Sequence, residues 1–181
     1  MNTTASPCPL CNSTLCGEPL PTQDYNWKTP GTFTFVQCSA CGLLRQDPIP
    51  TPSRIAETYP DDYGEALARE TLAITAKINS RANLARAALI RKHAVGPGSI
   101  CDIGCGPGFF LALMRSRGWK TAGIEPLAAS AQYAQEVLGV DSVFNSRWPS
   151  DADLKIRADV VCMFHVLEHL RDPVRALKSA G

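Results

Sequence analysis

Cys8-Pro-Leu-Cys11 and Cys38-Ser-Ala-Cys41 are two C-x-x-C pairs in the first quarter of the chain. Thiolates at this spacing converge on one ion from a tight turn, and two such turns supply the four ligands of a closed, tetrahedral structural Zn2+ site. Twenty-six residues separate the pairs, more than the roughly 15 to 20 of the common pattern, and an intervening hairpin absorbs the excess. Cys16 is a spare. A second stretch, ICDIGCGPGFF over residues 100–110, sets three glycines within five positions directly after a short apolar run. Lacking a Cβ, Gly104, Gly106 and Gly108 let the backbone turn sharply and come close to a ligand. A third stretch, HVLEH, carries His165, Glu168 and His169.

Acidic residues narrow what the glycine loop can hold. Asp102 stands just before the glycines, and Glu125 follows about 20 residues on, where a carboxylate accepts hydrogen bonds from both hydroxyls of a ribose. A negative charge at Asp102 would repel a pyrophosphate but suits a ligand carrying a positive amino group. No Lys-Ser/Thr pair follows the loop as a P-loop requires, and the third glycine comes one residue early for the dinucleotide fingerprint. The pattern therefore points to an adenosine-like, cationic cofactor, with a dinucleotide oxidoreductase as a minor alternative.

The elements that must position these residues are legible from periodicity. SICDI, KTAGIE, DSVFN and ADVVCMF read as short apolar strands, while GFFLALMRSRG and LAASAQYAQEVLG read as helices closed by Gly118 and Gly139. DPVRALKSAG begins a helix with Asp172 as its cap and Pro173 in the first turn. Strands alternating with helices of this length predict an α/β fold with a Rossmann-like parallel sheet. Upstream, Glu65 to His93 contains no Gly or Pro. Leu67, Ile74, Ile78, Ala82, Ala85 and Leu89 recur there at helical spacing, which predicts one amphipathic helix. Its basic residues, Arg69, Lys77, Arg81, Arg86, Arg91 and Lys92, read as a solvated outer face. The expected organisation is a zinc-binding module over 1–58, a connecting segment with the helix over 59–94, and a cofactor-binding domain over 95–181. In that domain Cys101, Cys105 and Cys162 read as buried core thiols, not metal ligands.

On these motifs the chain resembles the class I S-adenosylmethionine-dependent methyltransferases, whose cofactor loop typically reads like DIGCGPG. The likeness continues through GIEP and through VVCMFHVLEHLRDP, similar to that family's fourth strand and the segment after it. The resemblance implies that Asp102, Gly104, Gly106 and Gly108 border the methionine part of S-adenosyl-L-methionine, with Cys105 as a spacer in that cofactor loop. It implies further that Glu125 holds the ribose and that Asn145 lies near the adenine. Zinc knuckles, then YPDDYG, then HVLEH resemble a bacterial group of zinc-binding C-methyltransferases that act on nucleotide-linked sugars or similar biosynthetic intermediates. In such a transfer His165 is the first candidate for the base, His169 the second, and Glu168 orients a histidine; Tyr59 and Tyr63 are candidates to cover the cofactor or acceptor.

That family has seven strands where this chain supplies four, so the sequence reads as a partial gene product and a poor catalyst alone, with VVCMF as an exposed edge. Ribosomal RNA methyltransferases with a zinc module are the rival of the same chemistry. Eighteen basic against seventeen acidic residues give a net charge of +1, and no basic, aromatic-interleaved strip of the RNA-reading kind occurs. Two readings come from other classes. HVLEH matches the H-x-x-E-H of one class of zinc peptidases, where His165 and His169 would share a helix face. The module and long helix would alternatively make a non-enzymatic binding unit. No apolar run approaches the roughly 20 residues that span a bilayer, and no secretion signal precedes the module. The expectation is a soluble cytoplasmic enzyme with a small-molecule acceptor.

Overall fold

The computed structural model describes residues 3–4, 6–25, 29–51, 53–54, 74–149 and 156–181. Two compact units form: Met1–Pro60 with His169–Ser179 and Gly181, and Asp61–Glu168 with Ala180. Tyr59, Tyr63 and the YPDDYG segment lie outside the described residues, as does the helix expected over 65–73.

In the first unit, β1 (Thr3–Thr4) pairs antiparallel with β2 (Leu15–Cys16), and β3 (Leu20–Thr22), β4 (Phe33–Gln37) and β5 (Leu44–Gln46) form an antiparallel meander. The two C-x-x-C turns are built alike. Asn12 N donates to Cys8 O at 2.8 Å and Gly42 N to Cys38 O at 2.9 Å; Cys8 N donates to Ser13 O and Cys38 N to Leu43 O, both at 2.9 Å. Asn12 and Gly42, each directly after the second cysteine, both take positive φ, 63° and 77°, as small or amide residues do at such corners. Among the described residues up to Arg54, the buried apolar side chains are Cys8, Cys16, Val36 and Cys38. A core this small cannot by itself offset the entropy of ordering the chain.

The second unit opens with α1 (Ile74–Ile78) and α2 (Arg81–His93), not one unbroken helix. Ser80 caps α2, its hydroxyl accepting from Asn83 N at 3.2 Å, and this local hydrogen bond competes with continuing the helix. The restart resets the phase. Ala82, Ala85 and Leu89, expected on the apolar face, are exposed. The inward face instead carries Asn83 and Ala87, with Ile90 and Ala94 packed against the core.

The parallel sheet consists of β6 (Ser99–Ile103), β7 (Lys120–Ile124), β8 (Ser142–Phe144) and β9 (Val160–Met163) in the order β8-β7-β6-β9. Between its strands run α3 (Phe109–Ser116) and α4 (Ala128–Gln132), the latter continuing as a π-helix over Tyr133–Val137. The order inverts beside β6, and in open α/β sheets the crevice at such a point is where ligands bind. Strand alternation divides β6 between two cores. Ile100 joins Phe110, Leu111, Met114 and Cys162 on one face, and Cys101 and Ile103 join Ile124 on the other. The three expected core thiols are buried. After β9 come a 3-10 turn at Leu167–His169 and α5 (Pro173–Lys178), which Asp172 caps by accepting from Arg175 N at 2.9 Å. No helix among the described residues is long and apolar enough to cross a membrane.

Candidate cofactor and metal sites

The glycine loop is tied to the neighbouring strand by its own backbone. Gly104 N and Cys105 N both donate to Ile124 O, at 2.7 and 3.2 Å. Glu125, just beyond β7, accepts from Gly106 N with one oxygen and from Leu127 N with the other, both at 2.9 Å. Burial raises the pKa of Glu125, and these two amides work against the rise. A carboxylate has about four acceptor sites, so hydroxyl donors can still be received. Asn145 donates from Nδ2 to Glu125 O at 2.9 Å and to Pro126 O at 3.0 Å. Its amide nitrogen thus braces the chain that presents Glu125.

Asp102 pairs with Gly123 on one side and Cys162 on the other and is 4% exposed. Its one described hydrogen-bond donor is the Cys162 thiol, at 3.4 Å. Burial lifts its pKa to about 7, with the Glu125 charge adding to the rise and Cys162 and Arg86 opposing it. A buried carboxylate with a single weak donor is under-satisfied, and an arriving cationic group is the chemistry that would complete it. In the loop that follows, a Cβ on Gly106 would meet nothing within 4 Å. The loop thus faces open space there, beside the Glu125 carboxylate that holds Gly106 N. In their chemistry Asp102 and Glu125 fit S-adenosyl-L-methionine, one carboxylate being suited to its ammonium group and a second to its ribose hydroxyls.

The glycines themselves separate packing from binding. A Cβ on Gly108 would lie 2.7 Å from Ala134 Cβ and 3.2 Å from Ala134 Cα, at a φ of +83°. We expect Gly108→Ala to destabilise the domain by about 1–3 kcal/mol. Gly106→Ala should cost only about 1 kcal/mol while weakening cofactor binding about tenfold or more, because its methyl group fills ligand space. Thermal melting and titration of both variants check this; binding as tight in Gly106→Ala as in the parent would remove Gly106 from the site.

In the first unit the sulfurs of Cys8, Cys11, Cys38 and Cys41 all lie within 4.8 Å of one another. Cys8 Sγ and Cys41 Sγ are 3.6 Å apart, and Cys11 Sγ and Cys38 Sγ 3.5 Å. Zn–S bonds of about 2.3 Å in a tetrahedron require sulfur separations of about 3.8 Å. Backbone amides of Cys41 and Ala40 aim at Cys38 and bring its pKa down to about 6. Burial opposes the same effect at Cys8, where the amides of Cys11 and Leu10 still lower it. Although backbone amides oppose it, desolvation and the neighbouring sulfurs hold Cys11 and Cys41 up, Cys41 to about 12. Four sulfurs so clustered fit a zinc ion, whose charge offsets that crowding.

HVLEH does not form the helical pair that the peptidase alternative requires. His165 takes φ 57° and only Leu167–His169 is helical, as one 3-10 turn, so the two histidines do not stand one α-turn apart. His165 Nδ1 lies 3.6 Å from Glu168 Oε1, and both side chains are exposed. Among the described residues the four cysteines are the one group placed to hold a metal. The peptidase reading therefore lacks its geometry.

A second correction concerns the basic helix face. Lys77 Nζ lies 5.5 Å from the Phe109 ring centre, and the Arg86 guanidinium carbon 4.6 Å from that of Phe164. Both cations sit on aromatic rings at the ends of the elements that build the site. The helix pattern gave no sign of this, because Phe109 and Phe164 are distant in sequence.

The family described as Methyltransferase domain matches residues 65–181, more than half of the chain. The chain belongs to this family. Among solved structures, a Methanococcus maripaludis protein assigned to the S-adenosyl-L-methionine-dependent methyltransferases shares the fold at 12% identity and a TM-score of 0.50, over 65% of this chain and 56% of its own. The sugar N-methyltransferase KedS8 of a Streptoalloteichus species is 23% identical with a TM-score of 0.48, over 57% of this chain and 42% of its own. The plantazolicin methyltransferase BpumL, solved with SAH, is 16% identical with a TM-score of 0.49, over 66% and 48%. The chain thus spans about half the length of the solved structures it matches. No curated protein matches it.

Proposed function

We propose that this chain binds S-adenosyl-L-methionine at the Asp102–Glu125 loop and takes part in methyl transfer to a small biosynthetic intermediate such as a nucleotide-linked sugar, with a structural zinc held by Cys8, Cys11, Cys38 and Cys41. The observation that carries the reading is the convergence of a buried, under-satisfied Asp102, a Gly106 facing open space, and Glu125 at the end of the adjacent strand. The choice of acceptor rests on the likeness of the zinc knuckles, YPDDYG and HVLEH to the zinc-binding C-methyltransferases.

The cofactor, when bound, supplies an electrophilic methyl group. The protein's task is to hold the cofactor, align the acceptor, and accept a proton where the acceptor is carbon or oxygen. Asp102 neutralises the ammonium, and Glu125 fixes the ribose while holding Gly106 in place. His165 follows the strand end and is exposed, with Nδ1 toward Glu168. Glu168 thereby favours the ring orientation that leaves Nε2 free as base. His165→Ala should lower turnover about 100-fold with cofactor affinity kept; unchanged turnover would eliminate that role.

The direct test of the cofactor reading is calorimetric titration of the zinc-loaded chain with S-adenosyl-L-methionine and, separately, with NAD. Saturable binding of the first alone is expected. Binding of NAD alone would replace the reading with the oxidoreductase one.

A further inference from the structure

The chain leaving the second C-x-x-C turn carries two side chains that reach back to the entry of the first. Arg45 lies on β5 opposite Val36 of β4, and both are buried. Its Nη1 donates to Asp47 Oδ1 at 2.8 Å and its Nη2 to the carbonyl of Ser6. Asp47 Oδ1 also accepts from Ser6 N, at 3.2 Å. Both backbone polar groups of one residue, two positions before Cys8, are thus held in a closed ring of hydrogen bonds by side chains that follow Cys41. Asp47 N donates in turn to Thr34 O at 2.9 Å, which fixes the clamp to the meander. On the other side of the first turn, backbone pairing joins residues 15–17 to 37–39: Gly17 N donates to Gln37 O at 2.9 Å and Ser39 N to Leu15 O at 3.0 Å. The first turn is therefore tied to the second at both ends. The two short sulfur separations, Cys8 to Cys41 and Cys11 to Cys38, both run between the turns, so the cluster depends on how the turns are spaced. As a source of stability the guanidinium is poorly placed: its Nε is buried with no partner among the described residues, and an ion pair of this kind contributes little net stability. Its planar fork instead serves a carboxylate and a carbonyl from separate nitrogens at once, which a lysine ammonium does not.

We propose that Arg45 and Asp47 are positioning residues of the metal centre: they hold Ser6, and with it the entry to the Cys8–Cys11 turn, at the spacing from the Cys38–Cys41 turn that one tetrahedral zinc ion requires. The inference rests on the zinc reading above and adds to it two residues that are not ligands but set where the ligands stand.

The test uses the full chain and compares the parent with Arg45→Met, Arg45→Lys and the double variant Arg45→Met with Asp47→Leu. The first readout is zinc affinity, measured by competition with a chromophoric chelator. Arg45→Met should bind zinc about 10- to 100-fold more weakly, as loss of an outer-shell partner does. Arg45→Lys keeps a charge beside Asp47 but leaves Ser6 O without its donor, and should lose affinity by about tenfold or more. The double variant leaves no charge unpaired. A pair that served stability alone could be removed in this way at little cost, whereas loss of the clamp predicts a fall of about tenfold or more. The second readout is the visible spectrum of the cobalt-substituted protein at saturation. The d–d bands of a tetrahedral thiolate site in the parent should shift or weaken in the variants, which a defect confined to stability would not cause once every site is filled. If Arg45→Met stays unfolded in excess metal, the lysine and double variants supply both readouts. A smaller loss in the double variant, a lysine variant that matches the parent, or saturated cobalt spectra that are the same throughout would each overturn the proposal. A parent that takes up neither metal removes the zinc reading and this inference with it; a parent that loads normally beside variants that load equally well removes this inference alone.

Discussion

Withdrawal of zinc should unfold the N-terminal module while leaving the parallel-sheet unit folded. The expectation follows from the size of the core: among the described residues up to Arg54, three of the four buried apolar side chains are cysteines, and two of those belong to the four-sulfur cluster. Arg45 and Asp47 add a partly buried ion pair at 2.8 Å. Such pairs contribute little net stability, since desolvation offsets their attraction. Binding of a structural zinc is worth about 10–16 kcal/mol in small zinc peptides, far more than one buried valine provides. Protein purified without chelator should carry one zinc per chain by elemental analysis. Chelation, or Cys38→Ser, should abolish amide protection in β3–β5 while amides of β6 and β7 stay protected. Well under one zinc per chain in the untreated protein would falsify the assignment, and so would protection that survives chelation.

The second large effect concerns Asp102. Asp102→Asn should weaken S-adenosyl-L-methionine binding at least about thirtyfold, as removal of one partner of a buried charge interaction does. The same substitution should raise the stability of the ligand-free protein relative to the parent as pH increases. The folded-state pKa of Asp102 is lifted to about 7 from an ordinary 3.8, first by burial. Between these values the folded protein holds a proton that the unfolded chain has lost, so the parent loses stability with rising pH, by up to about 1.4 kcal/mol per unit. The contribution is fully present below about pH 4 and gone above about pH 7. Between pH 5.5 and 8 the parent should therefore lose about 2 kcal/mol relative to Asp102→Asn, measurable by urea unfolding of both proteins at the two pH values. Glu125 is shifted upward and Asp47, Asp141 and Asp159 downward. The difference between the two proteins cancels the three aspartates and leaves Asp102 together with its coupling to Glu125. A constant difference across the range would show that Asp102 does not titrate as its burial demands. The result would also explain what the site gives up: a carboxylate kept short of partners costs folding stability and is ready for a cation.

How far the sequence alone carried this protein depended on the range of the interactions involved. The strand at Ser99–Ile103 and the glycine loop after it are written in contiguous residues, because an apolar run, its turn and the following helix start are all local choices. The α5 cap is local too: Asp172 and Pro173 lie within three residues of the Arg175 amide they serve. Each C-x-x-C turn is local as well, closed by its own backbone hydrogen bonds, whereas the meeting of the two turns depends on backbone pairing between residues 15–17 and 37–39.

Three further features were decided only by the tertiary structure. A period of 3.6 carried through Glu65–His93 assumes an unbroken helix; the local cap at Ser80 restarts it, and packing on the core decided that Asn83 and Ala87 turn inward. His165 and His169 have helical spacing, but the turn after β9 packs Val166 against Gly104, and the chain between the histidines follows that contact instead of a helix. Arg86 looked like one more solvated charge. Its contact with Phe164 spans 78 positions of chain and exists only because α2 packs on the core to which Phe164 belongs. Composition and periodicity therefore determined which elements form and where the loop lies. Which charges face one another was determined by packing, since that depends on elements far apart in sequence meeting on one face of the sheet.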